Sequence, residues 1–375
     1  MSDGRWIRAV LVAALIVVGS ACGGCQSGAP LAKQPDQVQS ATEPAVEQEP
    51  VASVEGITLF GEVDGQEAVP FVARPARSLQ QHTFATEGRD FDPDISRSGE
   101  LLVFASTRHS VRPDIYLKSV AGSTVTQLTA DPASDVQPRF SPEAGKIAFA
   151  SDRSGNWDIW VMDVNSRHLT QVTTARAQEV HPSWSPDGTR LVYCSLPGAG
   201  RQWELWVAAL SAPGTKKFVG YGVFPDWSPV GERILFQRAR QRGSHWFSLW
   251  TVELVNGEAR YPTEIASSAE YALVLPSWSA DGMQVAYCAL KPSQADPTGE
   301  GVSLSDLWMV DVDGQAKVQL SDGRGANYSP AWGPDGRVYF TSTREGSETV
   351  WSLLPLQGPS VARTTGTVQV GMRSH

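Results

Sequence analysis

The sequence has 375 residues, enough to bury one large hydrophobic core or two modest ones. Glycine (34 residues), proline (25) and tryptophan (13) are abundant, and this mixture of turn formers and aromatic residues favours an all-β chain with many hairpins. The formal net charge of −9 argues against a nucleic-acid-binding surface, which needs a basic stripe.

The N-terminus has the design of a secretory signal peptide. A short basic region precedes an apolar run from Ala9 to Val18, which is shorter than the roughly 20 residues of a membrane-spanning helix. Small residues then lead to Cys22, an order that resembles the lipobox of bacterial lipoproteins, in which the cysteine becomes the lipidated first residue. We therefore predict a lipoprotein-type signal peptide over 1–21 and lipidation at Cys22. The alternatives are lipidation at Cys25 and an ordinary secreted protein.

The segment after the signal peptide has no hydrophobic periodicity. Residues 22–55 are rich in Gln, Pro, Ala and Glu, and we predict a disordered linker there because such a segment cannot bury enough apolar area to order itself. Residues 56–78 contain short apolar stretches and are ambiguous between linker and strand.

One sequence unit recurs six times along the rest of the chain. Its best copy reads Pro-Ser-Trp-Ser-Pro-Asp-Gly over 182–188, followed by an apolar run at 191–195 and Glu-Leu-Trp at 204–206. The copies open at Pro93, Pro138, Pro182, Pro225, Pro276 and Pro330, and close at Tyr116, Trp160, Trp206, Trp250, Trp308 and Trp351. Intervals of this length are typical of propeller blades. The repeats predict an all-β, six-bladed β-propeller of four-stranded antiparallel blades over 79–366, with a tail at 367–375.

Two details of the repeat affect how the blades form and close. Ser-Pro-Asp-Gly predicts a turn with glycine in the left-handed position, and copy two has Ala144 there, so we expect a shifted turn in that copy. The ring could be closed by an N-terminal strand at 81–84, which aligns without gaps on 126–129, or by residues 360–364.

These units resemble the WD40-like repeats of the TolB propeller family. The resemblance implies a periplasmic protein-interaction platform whose partner is an envelope protein, such as a Pal-like lipoprotein of the Tol–Pal system. With Cys22 as a lipid anchor, we expect an exported, monomeric, non-enzymatic protein on the periplasmic side of the envelope. We expect the outer rather than the inner membrane, and no resident cofactor.

A basic stretch in copy four is the predicted partner-binding site. It falls in the loop between the second and third strands, on the face that also carries the connections between blades, and binding sites usually lie on variable loops. Its residues are Arg238, Arg240, Arg242, His245 and Trp246. The alternative is a solvated charged loop.

Acidic residues stand three positions before the opening proline in copies one to three, at Asp90, Asp135 and Glu179. If the first strand of each blade lines the channel, these carboxylates and His181 should lie at its mouth, where oxygen ligands could hold Ca²⁺. The alternative is that they cap turns.

Two other classes of function stay open, a carbohydrate-active lyase or hydrolase and a non-catalytic polysaccharide-binding module. The enzyme would need paired ionisable groups in the channel, such as His181 with Glu179. A deep pocket lined by unlike polar residues would favour the enzyme, and a plugged channel would favour the platform.

Other repeated residues are expected to be structural. Arginines of the Ser-x-Arg triplets (Arg108, Arg153 and Arg344) are expected to pair with Asp114 and Asp158 across a hairpin, and the recurrent tryptophans to form the core. Cys194 and Cys288 occupy equivalent places in non-adjacent copies, too far apart for the ~6 Å Cα separation of a disulfide. We expect both to be buried thiols.

Overall fold

A computed structural model describes residues 77–198, 202–212, 214–239, 247–290 and 305–356. These residues form 24 strands and no helix. Accordingly, the described ranges contain no helix that is long and apolar enough to cross a membrane.

The strands follow one another in short, regular succession. In chain order they are β1 (Arg77–Gln81), β2 (Asp90–Ile95), β3 (Leu101–Ser106), β4 (Asp114–Ser119), β5 (Val125–Gln127), β6 (Asp135–Phe140), β7 (Lys146–Ser151), β8 (Asp158–Asp163), β9 (Leu169–Gln171), β10 (Gln178–Trp184), β11 (Arg190–Leu196), β12 (Glu204–Ala209), β13 (Lys216–Tyr221), β14 (Val223–Trp227), β15 (Arg233–Ala239), β16 (Phe247–Val255), β17 (Glu258–Ala266), β18 (Ala272–Trp278), β19 (Gln284–Leu290), β20 (Ser305–Asp311), β21 (Val318–Gln319), β22 (Asn327–Trp332), β23 (Val338–Ser342) and β24 (Thr349–Leu354).

The strands form six four-stranded antiparallel sheets, which confirms the predicted six-bladed β-propeller. Blades 1 to 5 each take four consecutive strands, beginning with β2, β6, β10, β14 and β18. Blade 6 takes β22 to β24 and is completed by β1. We call the face with the turns between first and second strands the turn face, and the face with the connections between blades the linker face.

The N-terminal strand closes the ring. Gln80 and Gln81 pair with Ser352 and Trp351 of β24. Beyond the strand, the Thr83 hydroxyl accepts the Val350 backbone N–H at 2.9 Å. The alternative closing segment, 360–364, lies outside the described residues.

Thr83 shows that the gapless alignment of 81–84 on 126–129 was wrong by one residue. In blade 1 the equivalent bond is accepted by the Thr129 hydroxyl from Ile115 N–H. The same bond recurs in blades 2 and 5, where the hydroxyls of Thr173 and Ser321 accept from Ile159 and Leu307. The repeated signal is therefore Gln-x-Thr/Ser at the fourth strand, beginning at Gln81, Gln127, Gln171 and Gln319.

The hydrophobic core lies between blades, as the recurrent aromatic residues predict. Trp184, Trp227 and Trp278 are buried beside the second strands of their blades, which are β11, β15 and β19. A propeller blade cannot bury both of its faces alone, and stacking in a ring buries them against the neighbouring blades.

The turn of blade 2 corrects one expectation. Gly188 donates its N–H to Ser185 O at 2.9 Å with φ of +68°. Ala144 makes the same bond to Ser141 O at 2.8 Å with φ of +54°. The turn is not shifted, because the blade holds the alanine in the conformation that glycine adopts more easily.

The arginine pairs also differ from the prediction. Arg108 and Arg153 donate to Asp90 and Asp135, not to Asp114 and Asp158 as expected. Asp90 and Asp114 both lie opposite Ser106 of the Ser-x-Arg triplet, on the first and third strands. Asp114 and Asp158 instead accept hydrogen bonds from Gln127 and Gln171 of the fourth strand and from the threonine two residues further on.

The arginines also stack on the closing aromatic residue of their blade. Their guanidinium carbons lie 5.1 to 5.4 Å from the ring centroid, where a cation–π attraction stabilises the pair. The pairs are Arg108 on Tyr116, Arg153 on Trp160 and Arg238 on Trp250, with Arg344 on Trp351 at 5.0 Å and Lys216 on Trp206 at 4.7 Å.

Every first strand carries a β-bulge directly before its repeat proline. The residue before the proline has a φ between +50° and +56°, which is uncommon for residues other than glycine. The six residues are Asp92, Gln137, His181, Phe224, Leu275 and Ser329. Such strained conformations persist only where the surrounding structure fixes them.

Hydrogen bonds from the preceding blade fix these bulges. The backbone N–H of Asp92, Phe224 and Leu275 is accepted by Thr341 (3.2 Å), Cys194 Sγ (3.2 Å) and Gln237 (2.9 Å), which share one position of the second strand. Ser329 donates likewise to the Cys288 thiol. In the other two blades the acceptor is the preceding bulge side chain, Gln137 for His181 (2.9 Å) and Asp92 for Gln137.

The cysteines are therefore contacts between blades. Both are free and buried, which confirms the prediction that they form no disulfide. Burial raises the pKa of each thiol, so the neutral form accepts the hydrogen bond.

Candidate functional site

The central channel is lined by two layers of side chains from the six first strands. The upper layer contains the bulge residues before each proline. The lower layer, nearer the turn face, contains the residues after each proline. These are Asp94, Arg139, Ser183, Asp226, Ser277 and Ala331.

Side chains of the upper layer contact one another across blade boundaries. Ser329 donates to Asp92 at 2.7 Å, and the Gln137 amide donates to His181 Nε2 at 3.1 Å. The His181 ring packs edge-on against Phe224 with centroids 4.0 Å apart. Since an amide nitrogen only donates, His181 Nε2 accepts and the ring is neutral with its proton on Nδ1.

The lower layer joins adjacent blades through the motif aromatic residues. Asp94 accepts the Phe140 backbone N–H at 2.7 Å, and Asp226 accepts that of Trp278 at 2.8 Å. Asp226 also accepts from the Ser183 hydroxyl at 3.0 Å. Arg139 lies 3.7 Å from Asp94, so one cation stands among the carboxylates of the channel.

A cavity of about 160 Å³ occupies the turn-face end of the channel. Asp94, Arg139, Ser183, Asp226 and Ser277 of the lower layer line it. Turn residues of all six blades surround its mouth, and they are Ser96, Ser141, Ser185, Pro229, Ala280 and Pro334.

Arg97 lies across this mouth. It belongs to the turn of blade 1, and its Nη2 is 3.4 Å from Pro229 O of blade 4. Blades 1 and 4 are opposite in a ring of six, so the exposed guanidinium spans the opening of the cavity.

Burial dominates the electrostatics of the channel. It raises the pKa of Asp94 to about 6, with a smaller opposing effect of Arg139 and a further rise from Asp226. Burial also raises the pKa of Asp92 and of Asp226, while Arg139 lowers both. For His181, burial and then Arg139 lower the pKa well below its usual range.

The predicted channel-mouth carboxylates do not lie together. Asp90, Asp135 and Glu179 are each fully buried, and the first two are held by the arginine of their own blade. The part of the chain that the structure describes brings no three His, Cys, Asp or Glu side chains together as a metal site. The expected cation site from these three carboxylates is corrected accordingly, because strand register turns each one toward the second strand of its blade.

His181 does line the channel, but Glu179 is not its partner. Glu179 accepts from Ser195 at 3.4 Å and lies 3.6 Å from Lys216, on the outer strand of blade 3. The acid–base pair that a carbohydrate-active enzyme would have used is therefore not formed.

The structure describes only the base of the predicted partner-binding loop of blade 4, which we call the rim. Arg238 pairs with Ser248 near the linker-face end of the β15–β16 hairpin, and its guanidinium covers Trp250. Residues Arg240, Arg242, His245 and Trp246 lie outside the described residues, as does Cys22.

Sequence reasoning missed Asp94, Arg139 and Asp226. A signal was present, because each is the variable residue between the proline of the repeat and the aromatic residue or, in copy one, Ile95. Proline and aromatic positions are buried, and alternation along a strand then places the residue between them on the opposite face, toward the axis.

Comparison with known proteins agrees with this geometry. Residues 70–262 match the model of the TolB beta propeller domain, which covers just over half of the chain. The chain belongs to the TolB beta propeller family. The TolB-type repeats thus account for the regular spacing of the opening prolines.

Solved structures show the same fold at low identity. A protein described as a TolB from Agrobacterium tumefaciens superposes with a TM-score of 0.55 at 20% identity, covering 74% of this chain and 97% of that one. TolB from Acinetobacter baumannii gives a TM-score of 0.53 at 19% identity, covering 65% of this chain and 57% of that one. Enzymes share the architecture too, since an oligogalacturonate lyase from Vibrio parahaemolyticus gives a TM-score of 0.50 at 14% identity, over 74% of this chain and 93% of that one.

A curated relative matches over a shorter stretch. The uncharacterized protein Atu1656 of Agrobacterium fabrum is 33% identical over 89 residues, which is 24% of this chain. The match spans about a quarter (27%) of that relative's length.

Proposed function

We propose that this TolB-family propeller is a lipid-anchored platform that binds an envelope protein through the linker face of blades 4 and 5. Membership of the TolB beta propeller family supports a binding role, and the signal-peptide pattern ending at Cys22 supports export and anchoring. The partner class is a Pal-like lipoprotein, and the compartment is the periplasmic side of the outer membrane.

The observation that carries the proposal is where the blades lose their structural ion pair. Blades 1 and 2 each hold a buried carboxylate against an arginine at the linker face. Blades 4 and 5 have Gly222 and Leu273 at the carboxylate position. These two blades therefore lack the carboxylate of the repeated ion pair. Their second and third strands are joined by residues 240–246 and 291–304, which lie outside the described residues.

Binding rather than catalysis is proposed for the channel as well. Its lower layer carries unlike polar groups, the feature expected of a carbohydrate site, but the cavity of about 160 Å³ is below the roughly 300–1,000 Å³ of pockets for larger ligands. The pair of His181 and Glu179 is also separated.

Alanine substitution of Arg238, Arg240 and Arg242 tests the docking face. We expect the triple variant to lose at least about ten-fold in affinity for the captured envelope partner, because rim arginines supply charge-assisted hydrogen bonds. The matched control is Arg233→Ala with Arg260→Ala in the same blade, whose side chains are paired with Glu253 and Glu258. Equal partner recovery from the triple variant and the control would remove the proposed site.

Anchoring is tested separately by mass spectrometry of the mature N-terminus. We expect a diacylglyceryl group on Cys22 and recovery of the protein with outer-membrane vesicles in a density gradient. Cys22→Ser should release the protein to the soluble fraction, and Cys25→Ser should not. A wild-type protein without lipid contradicts the anchoring proposal but leaves the docking proposal standing.

A further inference from the structure

The carboxylates of Asp94 and Asp226 and the guanidinium of Arg139 line the inside of the turn-face cavity, and the Arg97 guanidinium lies at its mouth. Asp94 and Asp226 come from opposite blades, and Arg139 forms an ion pair with Asp94, at 3.7 Å, but not with Asp226. Among the described residues, no lysine, arginine or histidine nitrogen lies within 4 Å of the Asp226 carboxylate, whose partners are the neutral donors Ser183 and Trp278. A half-buried carboxylate that has only neutral donors is a strong acceptor for a cation.

The size and donor set of the cavity limit which cation fits. Ca²⁺ takes six to eight oxygen ligands, whereas the described residues bring no three candidate ligand side chains together. A primary ammonium has three N–H donors and needs three acceptors. Asp94, Asp226 and the Ser277 hydroxyl all belong to the wall. The volume of about 160 Å³ suits one short chain bearing such a group.

We propose that this cavity binds one primary ammonium group between Asp94 and Asp226. The group belongs either to a lysine side chain of another protein or to a small free amine, and the chemistry of recognition is the same. The site lies on the turn face and is independent of the platform proposed for the linker face.

Arg97 controls entry to this site. Its guanidinium lies across the mouth and is held by one long hydrogen bond to Pro229 O, at 3.4 Å. A cationic ligand must displace it, and like charges at the mouth oppose that step. Removing the Arg97 side chain should therefore strengthen binding of an ammonium group.

The test is calorimetric titration of the purified full chain with Nα-acetyl-lysinamide and with butylammonium chloride. Nα-acetyl-norleucinamide, the neutral analogue, is the ligand control. We expect both amines to bind and the neutral analogue not to. A preference of about ten-fold for the lysine derivative assigns the source to a protein side chain, and the reverse assigns it to a free amine.

Variants locate the binding. Asp226→Asn keeps an acceptor for Trp278 N–H and removes the charge, so affinity should fall at least about ten-fold. Asp281→Asn, in an exposed turn of the same face, should leave affinity unchanged. Arg97→Ala should raise it several-fold. If Asp226→Asn does not fold, Asp94→Asn replaces it, with folding checked by thermal unfolding.

Two results would overturn the assignment. One is binding of the norleucine analogue as tight as that of the lysine derivative. The other is an unchanged affinity in the folded Asp226→Asn or Asp94→Asn protein. Loss of partner binding in the rim variants has no bearing on either result, so the two proposals fail separately.

Discussion

Arg153 donates from a single nitrogen, Nη2, to both carboxylate oxygens of Asp135, at 2.9 and 2.8 Å. Asp135 is fully buried, whereas the arginine side chain is 14% exposed. The pair fixes the first strand of blade 2 to the loop that follows its second strand.

Loss of this arginine should therefore destabilise the propeller. Arg153→Ala leaves a buried carboxylate without its partner, and we expect the free energy of unfolding in urea to fall by about 3–5 kcal/mol. The exposed pair of Arg260 and Glu258 is the control, since Arg260→Ala should lower the same free energy by no more than about 1 kcal/mol. Equal effects of the two substitutions would contradict a structural role of the buried pair.

The channel carboxylate Asp94 should make stability depend on pH. Burial raises its pKa in the folded protein to about 6 from 3.8, so the folded state binds the proton more tightly than the unfolded state. The stabilisation of the folded state by the proton on Asp94 is fully present below pH 3.8 and is lost as the pH rises through 6. Asp94→Asn should raise the melting temperature at pH 7 and have little effect at pH 3.5.

A turn aspartate provides the opposite sign for comparison. Burial raises the pKa of Asp187, but hydrogen bonds from Ser185 and Thr189 outweigh it and lower the pKa to about 2. Asp187→Asn should therefore lower the melting temperature at pH 7, where the ionised form stabilises the fold. Scanning calorimetry of both variants between pH 3.5 and pH 7 measures the change in melting temperature that each substitution causes. If the two changes at pH 7 had the same sign, this account of the channel would be refuted.

The thiol of Cys194 should be replaceable by a hydroxyl but not by a methyl group. Its sulfur accepts the Phe224 backbone N–H. At the equivalent position of blade 6, the Thr341 hydroxyl accepts the Asp92 backbone N–H. Valine and threonine have the same shape, but only threonine keeps an acceptor, so we expect Cys194→Val to lose about 1–3 kcal/mol in unfolding free energy. Cys194→Thr should lose clearly less. Equal losses would show that the sulfur acts by packing alone.

Ring closure predicts a sharp difference between two N-terminal deletions. A protein that lacks residues 1–70 retains β1, whereas one that lacks residues 1–85 leaves the edge of β24 unpaired and loses the Thr83 and His82 contacts. We expect the longer deletion to be less stable by about 3 kcal/mol or more. Circular dichroism during heating gives both melting temperatures. Similar values would mean that β1 adds little to the ring.

The fold could be predicted from the sequence because the signals of the repeat are local. The turn at 185–188 and the aromatic residues at Trp184 and Trp206 recur in the same order in successive copies, and each marks a strand boundary. Ring closure was left open because the only signals are Gln81 at the end of β1 and Thr83 just beyond it, and these were aligned one residue out of register.

The channel could not be predicted in the same way. A residue before proline ordinarily adopts an extended backbone conformation, so nothing in the local sequence at His181 or Asp92 predicts a bulge. The bulges exist because the neighbouring blade accepts their N–H groups, and that contact spans 30 residues of sequence from Cys194 to Phe224 and 44 from Gln137 to His181. Asp94 and Asp226 likewise acquire their raised pKa values from blades that fold around them.

The pairing of β1 with β24 has a consequence for how the protein reaches its native state. A chain made from its N-terminus presents Arg77–Gln81 first, yet the strand that these residues join is the last of the 24. Until synthesis is almost complete, β1 has an unsatisfied edge that can pair wrongly with another blade or another molecule. Productive assembly therefore depends on keeping this short segment unoccupied for longer than any other strand.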